Sequence, residues 1–205
     1  MNGEGRPVAA SLPKLHGNAM ATIVGRSPCP VATYRAIGSA MASVDLRSTD
    51  AEPVRRRFNA YYGVRRNAAW RTAFYERFEA AKHSPDTGID LFAASVRDLA
   101  ARTGRVEASF VSKLVATLDP EYPIIDSVVR QWLVPLTEAP PFKASVDSVI
   151  TYYEWLTNFM AEVVVSREAQ AWTKAFDETF PTRPGETAIS AMKKLDFLIW
   201  AGAER

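Results

Sequence analysis

From Ser109 to Leu133 the chain reads SFVSKLVATLDPEYPIIDSVVRQWL, an apolar helical pattern and a proline-bounded connection, with Asp126 placed just before a second apolar run. Each proline disfavours the α region for the residue before it, so Asp119-Pro120-Glu121-Tyr122-Pro123 is expected to form a stiff, extended link. A carboxylate delivered by such a link to a helix start has two uses. It can cap the helix, accepting backbone N–H bonds that hold it ionised. It can also stand at the mouth of a cleft and orient a water or stabilise a developing cation. The spacing leaves both open. Lys113 borders the apolar stripe three residues after Phe110. It can snorkel, pair with Asp126 across the link, or act as a nucleophile if desolvated, in that order of expectation.

A second candidate is basic. Between Pro53 and Thr72 stands PVRRRFNAYYGVRRNAAWRT, with Arg55, Arg56, Arg57, Arg65, Arg66 and Arg71, no acidic residue, and Tyr61, Tyr62 and Trp70 interleaved. Guanidinium groups fork onto phosphate oxygens and aromatic faces stack on bases, so the segment reads as a nucleic-acid-facing surface. The alternative is a solvated helix face whose aromatics point into the core, since three consecutive arginines cannot share one groove.

Other chemistries lack their residues. His16 and His83 stand far apart in sequence, and a zinc site needs three or four ligands brought together, so no metal is expected. No glycine-rich phosphate cradle occurs, which leaves nucleotide hydrolysis without an anchor, and no cofactor is expected. Cys29, between Pro28 and Pro30 with no histidine near in sequence, reads as an incidental thiol.

The elements that must position these groups are helical. Residues 1–30, rich in Gly, Pro, Ser and Ala, read as an N-terminal arm, mobile or laid over the surface, and residues 31–205 as one all-α domain. Helices are expected over Val31–Val44, from Pro53 to Tyr62, over Asn67–Lys82, from an Asp90 cap to Thr103, over Glu107–Leu118, from Asp126, over Ser145–Val164, from a Ser166 cap, and over Thr187–Ala201. These breaks give about seven to nine helices in an irregular all-α fold. Trp155, Trp172 and Trp200, with Tyr152 and Tyr153, recur at helical spacing and are expected mostly to fill the core.

Composition sets the outer limits. The chain has 205 residues, 47% of them hydrophobic and 11% aromatic, enough to build a core and too many for a disordered chain. A formal charge of +2 imposes no global field, so any basic site must be local. One cysteine excludes an internal disulfide, and no run approaches the ~18–20 apolar residues of a membrane helix. The N-terminal residues lack the apolar stretch of a signal peptide. A reducing, cytoplasmic setting is the expectation.

The segment LVATLDPEYPIIDSVV resembles the stretch of the helix-hairpin-helix DNA glycosylase superfamily in which a helix and a proline loop lead to the catalytic aspartate. Its 8-oxoguanine glycosylase branch is the best match. SVVRQWL and the ending KKLDFLIW (Lys193 to Trp200) resemble uncharacterised bacterial proteins related to that superfamily. The resemblance implies a glycosylase-like all-α fold, DNA as partner, and Asp126 as the catalytic carboxylate acting on a base flipped out of the stack. Where bifunctional members carry a lysine nucleophile, this chain has Glu107, which implies a lysine-free mechanism. The hairpin position reads RTGRVEAS (Arg102 to Ser109), with a single glycine. That departure favours two rivals: a non-enzymatic nucleic-acid-binding module on the same fold, and a helical protein-interaction domain.

Overall fold

The computed structural model describes residues 18–134 and 139–202, and these contain helices and no strand. In chain order the helices are α1 (Ala19–Val24), α2 (Pro30–Ser43), α3 (Glu52–Tyr62), α4 (Ala68–Ala81), α5 (Gly88–Thr103), α6 (Ala108–Leu118), α7 (Ser127–Leu133), α8 (Val146–Val164), α9 (Arg167–Thr179) and α10 (Ala191–Gly202). A 3-10 turn at Thr49–Ala51 leads into α3. Among the described residues no helix is long and apolar enough to cross a membrane.

Short polar residues start these helices, as their chemistry dictates. The side chains of Asn67, Asp126, Ser145 and Ser166 accept backbone N–H bonds from Trp70, Val129, Ser148 and Ala169 and so satisfy donors that the first turn leaves open. Gly63 and Gly104 end α3 and α5 at φ of 65° and 69°, a left-handed conformation that a Cβ would strain.

Three starts differ from the sequence expectation. α5 begins at Gly88 after Thr87, so Asp90 sits in the first turn and favours it through charge rather than as the cap. α10 begins at Ala191, not near Thr187, because the Ser190 hydroxyl does the capping: it accepts the Lys193 N–H at 3.1 Å. Within the expected arm, residues 1–17, His16 included, lie outside the described residues, while Ala19–Val24 form a helix with Ala19 and Ile23 buried. That short helix was hidden by its length, since six residues show no periodicity.

α5 is the hub of the larger core, packing on α4, α6 and α8, with Phe58, Phe74, Phe78, Phe92 and Tyr153 fully buried around it. A smaller apolar cluster joins Ile23, Val31, Phe176, Phe197 and Leu198. α10 connects the two, because it packs on α1, α7, α8 and α9. Its apolar side completes both cores, and its remaining face turns toward a cavity.

Candidate functional site: a lysine–aspartate cavity

The cavity has a volume of about 1020 Å³, at the upper end of the range for a site that takes an organic ligand. Six parts of the chain build it: the turn from α1 into α2, the first half of α2, the second half of α3, α6 at Lys113, the α6–α7 connection and α10. Asp126, Lys113, Lys193 and Asp196 line it, with Arg26 and Arg57 exposed at its rim. Inside, the two lysines balance the two carboxylates, and the rim arginines leave the mouth of the cavity cationic, which favours an electron-rich or anionic guest there.

Asp126 is held in place from both sides. Downstream, its Oδ1 accepts the Val129 N–H at 2.8 Å as the N-cap of α7. Upstream, the connection from Asp119 is pinned at three points. The Ser190 hydroxyl donates to Pro120 O at 2.5 Å and the Tyr153 hydroxyl to Pro123 O at 3.2 Å, while buried Ser112 Oγ accepts the Ile125 N–H at 2.8 Å. Prolines remove donors from the link, and these three side chains take up groups that would otherwise lack partners. Tyr153 is itself fixed by Phe92, stacked with ring centroids 3.8 Å apart. The carboxylate therefore sits on a scaffold fixed by the core. Burial raises its pKa above the ordinary aspartate value, and the nearby Asp196 carboxylate adds to the rise.

Lys113 does not snorkel. It is 9% exposed, and its ammonium bonds Ser109 Oγ at 2.9 Å one turn back along α6. Nζ lies 5.3 Å from the centroid of the Phe110 ring and 5.9 Å from that of Tyr62. Burial lowers its pKa, against the pull of Asp126 and Asp196, which favour the charged form. Lys193 is buried deeper, at 4% exposure. Burial is the largest single influence and opposes its charge too, but the Asp196 carboxylate, in direct contact through Oδ2, and the surrounding Tyr62, Tyr61 and Tyr34 together outweigh it and raise the pKa. The rings of Tyr34 and Phe197 lie 4.8 and 4.9 Å from its Nζ. Tyr34, in the same buried surroundings, has its phenol pushed up to about 12 by desolvation and stays neutral as a donor.

The six arginines of the basic segment do not share a face. Only Arg57 reaches the cavity, together with Tyr61 and Tyr62. Arg55 is structural: its guanidinium donates to Leu46 O at 2.7 Å and to Ser48 O at 3.0 Å, and it pairs with Glu52. Arg56 points to solvent, 3.5 Å from Glu52. Arg66 forks onto Glu107 through bonds of 2.9 and 3.1 Å, tying the α3–α4 connection to the start of α6. Arg71 borders a separate hollow of about 270 Å³ beside Arg55, and Arg65 is exposed. Trp70 fills the core. Glu107 is therefore the partner of Arg66 and not part of the cavity wall. Cys29 is half-buried just before α2, and no cluster of ligating side chains suited to a metal exists among the described residues.

Several cavity residues went unremarked in the sequence: Arg26, Asp196 and, in this role, Trp200. Lys193, Asp196, Phe197 and Trp200 stand at i, i+3, i+4 and i+7 of α10, a spacing that puts them on one face. Trp200 was expected in the core, yet it is half-buried on the cavity wall with the Arg26 guanidinium 4.1 Å from its ring centroid. A Lys and an Asp inside an otherwise apolar helical stripe were the signal available. No protein-family model, curated protein or solved structure matches the chain.

Proposed function

We propose that this protein binds DNA and excises or inspects a modified base, in the manner of a monofunctional DNA glycosylase. The observation that carries the reading is the place of Asp126: a carboxylate fixed by a pinned link, on the wall of a cavity roomy enough to admit a nucleotide, with arginines at the rim. A duplex base cannot reach such a wall from within the stack, so the nucleotide must be extruded into the cavity. Arg26 and Arg57 are suited to hold the phosphates flanking it.

In this mechanism the bond between C1′ of the sugar and the base nitrogen breaks, and its electron pair leaves with the base. Positive charge develops on the sugar, and Asp126, ionised, stabilises it. A water then adds to C1′, its proton passing to the carboxylate or to the departing base. The products are the free base and an abasic sugar.

A lysine-dependent variant is the second reading, and one observation favours it. Glu107 removes the lysine the resemblance would place on the hairpin, but Lys113 brings a buried amine of lowered pKa to the same cavity as Asp126. Incubation with duplexes carrying oxidised, alkylated, deaminated and phage-type modified bases, scored for abasic sites, tests the main proposal. Borohydride added during turnover separates the two routes. Hydrolysis by water leaves no trapped adduct, and a covalent adduct lost in Lys113→Met establishes the lysine route. Binding without base release on any duplex would overturn excision and leave a nucleic-acid-binding module.

A further inference from the structure

α10 is one of the less ordinary helices of this fold, because the stripe it turns to the cavity is neither apolar nor solvated. Lys193, Asp196, Phe197 and Trp200 succeed one another along that face. A buried ion pair replaced by apolar side chains of similar size is often neutral or stabilising, so stability alone does not account for Lys193–Asp196. Both side chains line the cavity and keep bonding capacity beyond their mutual contact: the ammonium has three N–H donors and gives one to Asp196, and the carboxylate retains acceptor sites. Seven residues after Lys193, nearly two turns along, a planar cation already lies against an indole face, the Arg26 guanidinium over Trp200. A face that receives a flat guanidinium also suits a flat heteroaromatic ring, which takes that place when Arg26 turns to a flanking phosphate.

We propose that this stripe is a ring-recognition subsite, in which Trp200 stacks on the face of a nucleobase and the Lys193–Asp196 pair reads a lactam edge. Lys193 donates to the ring carbonyl oxygen, and Asp196 accepts from the adjacent ring N–H. Uracil, hypoxanthine and guanine carry that edge. Adenine and cytosine carry an amino donor beside a ring-nitrogen acceptor, the reverse order. The ligand class is thus a base with adjacent carbonyl and N–H groups, and amino-edged bases are rejected because the buried pair would be left without partners. The inference deepens the base-excision reading by naming the substrate class of the same cavity. It concerns binding, not bond cleavage, so the two can fail separately.

The test titrates the full chain with inosine against adenosine, and uridine against cytidine, following binding by calorimetry up to millimolar nucleoside. Each lactam nucleoside should bind at least tenfold more tightly than its amino counterpart. Asp196→Asn, which keeps the shape and loses the anionic acceptor, should erase the preference, and Lys193→Met should do the same. Trp200→Leu should weaken all four nucleosides about tenfold, while Trp200→Phe restores most of the loss, an outcome that a purely structural tryptophan would not give. Circular dichroism of each variant confirms that the fold is intact. Equal affinity for both members of each pair, no saturable binding, or an unchanged preference in a folded Asp196→Asn would overturn the proposal. Selective binding with no base release from any duplex keeps this subsite and sinks excision. Base release that ignores the edge does the opposite.

Discussion

Asp126 Oδ1 accepts the Val129 amide at 2.8 Å, so the residue that begins α7 is also the carboxylate on the cavity wall. A cap and a catalytic group make different demands of a side chain. The cap needs an oxygen acceptor, whereas stabilisation of a sugar cation needs negative charge. Asparagine meets the first and not the second. Asp126→Asn is therefore expected to retain the helical spectrum and melt within a few degrees of wild type, while base release falls by ~10²–10³-fold or more. DNA affinity should hardly move. A variant that unfolds, or one that releases base at the wild-type rate, would reduce Asp126 to a cap.

The electrostatics around Asp126 predict the acid side of the pH profile. Burial and the Asp196 carboxylate both raise its pKa, and the active form is the ionised one. Activity should consequently fall, as pH drops, at a higher pH than an ordinary aspartate would give. The stability contribution runs the opposite way. A raised carboxyl pKa means the folded state holds its proton more tightly, so this contribution is present at pH below the unfolded value and is lost as pH rises through the folded one. Asp196→Asn removes a like charge and leaves Lys193 unpaired nearby, which should move the acid limb to lower pH. Lys113→Met removes a cation that lowers the Asp126 pKa and should move it to higher pH. Limbs that stay put in both variants would show that another group controls the profile.

The basic segment separates into arginines that serve a ligand and arginines that serve the fold. Neutralising a phosphate contact releases counterions, so Arg57→Ala and Arg26→Ala should each weaken DNA binding and flatten the salt slope by about one unit. Arg55→Ala should leave the slope unchanged and lower the melting temperature, because the Leu46 and Ser48 carbonyls lose their donor. Arg66→Ala strands Glu107, 8% exposed and with only Arg105 at 3.5 Å as a second partner, and should cost about 1–3 kcal/mol of stability. Salt titrations and melts on the four variants decide the assignment. Equal slope changes for Arg55 and Arg57 would contradict it.

What was legible from sequence follows from how local each signal is. The helices show because periodicity and caps are properties of ten or so consecutive residues, and Asn67, Asp126, Ser145 and Ser166 each cap within three residues of themselves. Asp126 and Lys113 were identifiable as candidates because their segment is continuous. The arginines misled by the same logic. Adjacency in sequence suggested one surface, yet a helix turns 100° per residue and sends Arg55, Arg56 and Arg57 to a carbonyl cluster, to solvent and to the cavity. The other half of the cavity, Arg26 and the α10 stripe, lies well over sixty residues from Asp126 in either direction. Only the packing of α10 against α1 and α7 brings those residues together.

Gly88 offers a test of the scaffold that reaches Asp126 without touching the cavity. It begins α5 at φ 52°, and a Cβ there would collide with the Tyr122 ring, at the hydroxyl end. Tyr122 belongs to the proline link that carries Asp126, and that link is pinned by Ser190, Tyr153 and Ser112. It cannot yield at one residue without disturbing the others. Gly88→Ala therefore combines a left-handed backbone penalty of roughly 1–2 kcal/mol with an overpacking cost of about 1–3 kcal/mol. Tyr122→Ala relieves the collision but not the backbone strain. The double variant should recover most of the overpacking loss and little of the rest, a coupling that a thermodynamic cycle measures directly. If the pinned link is what places the carboxylate, the Gly88→Ala protein that remains folded should also release base more slowly, with DNA affinity unchanged. Full activity in a folded Gly88→Ala variant would show that the position of Asp126 does not depend on the link.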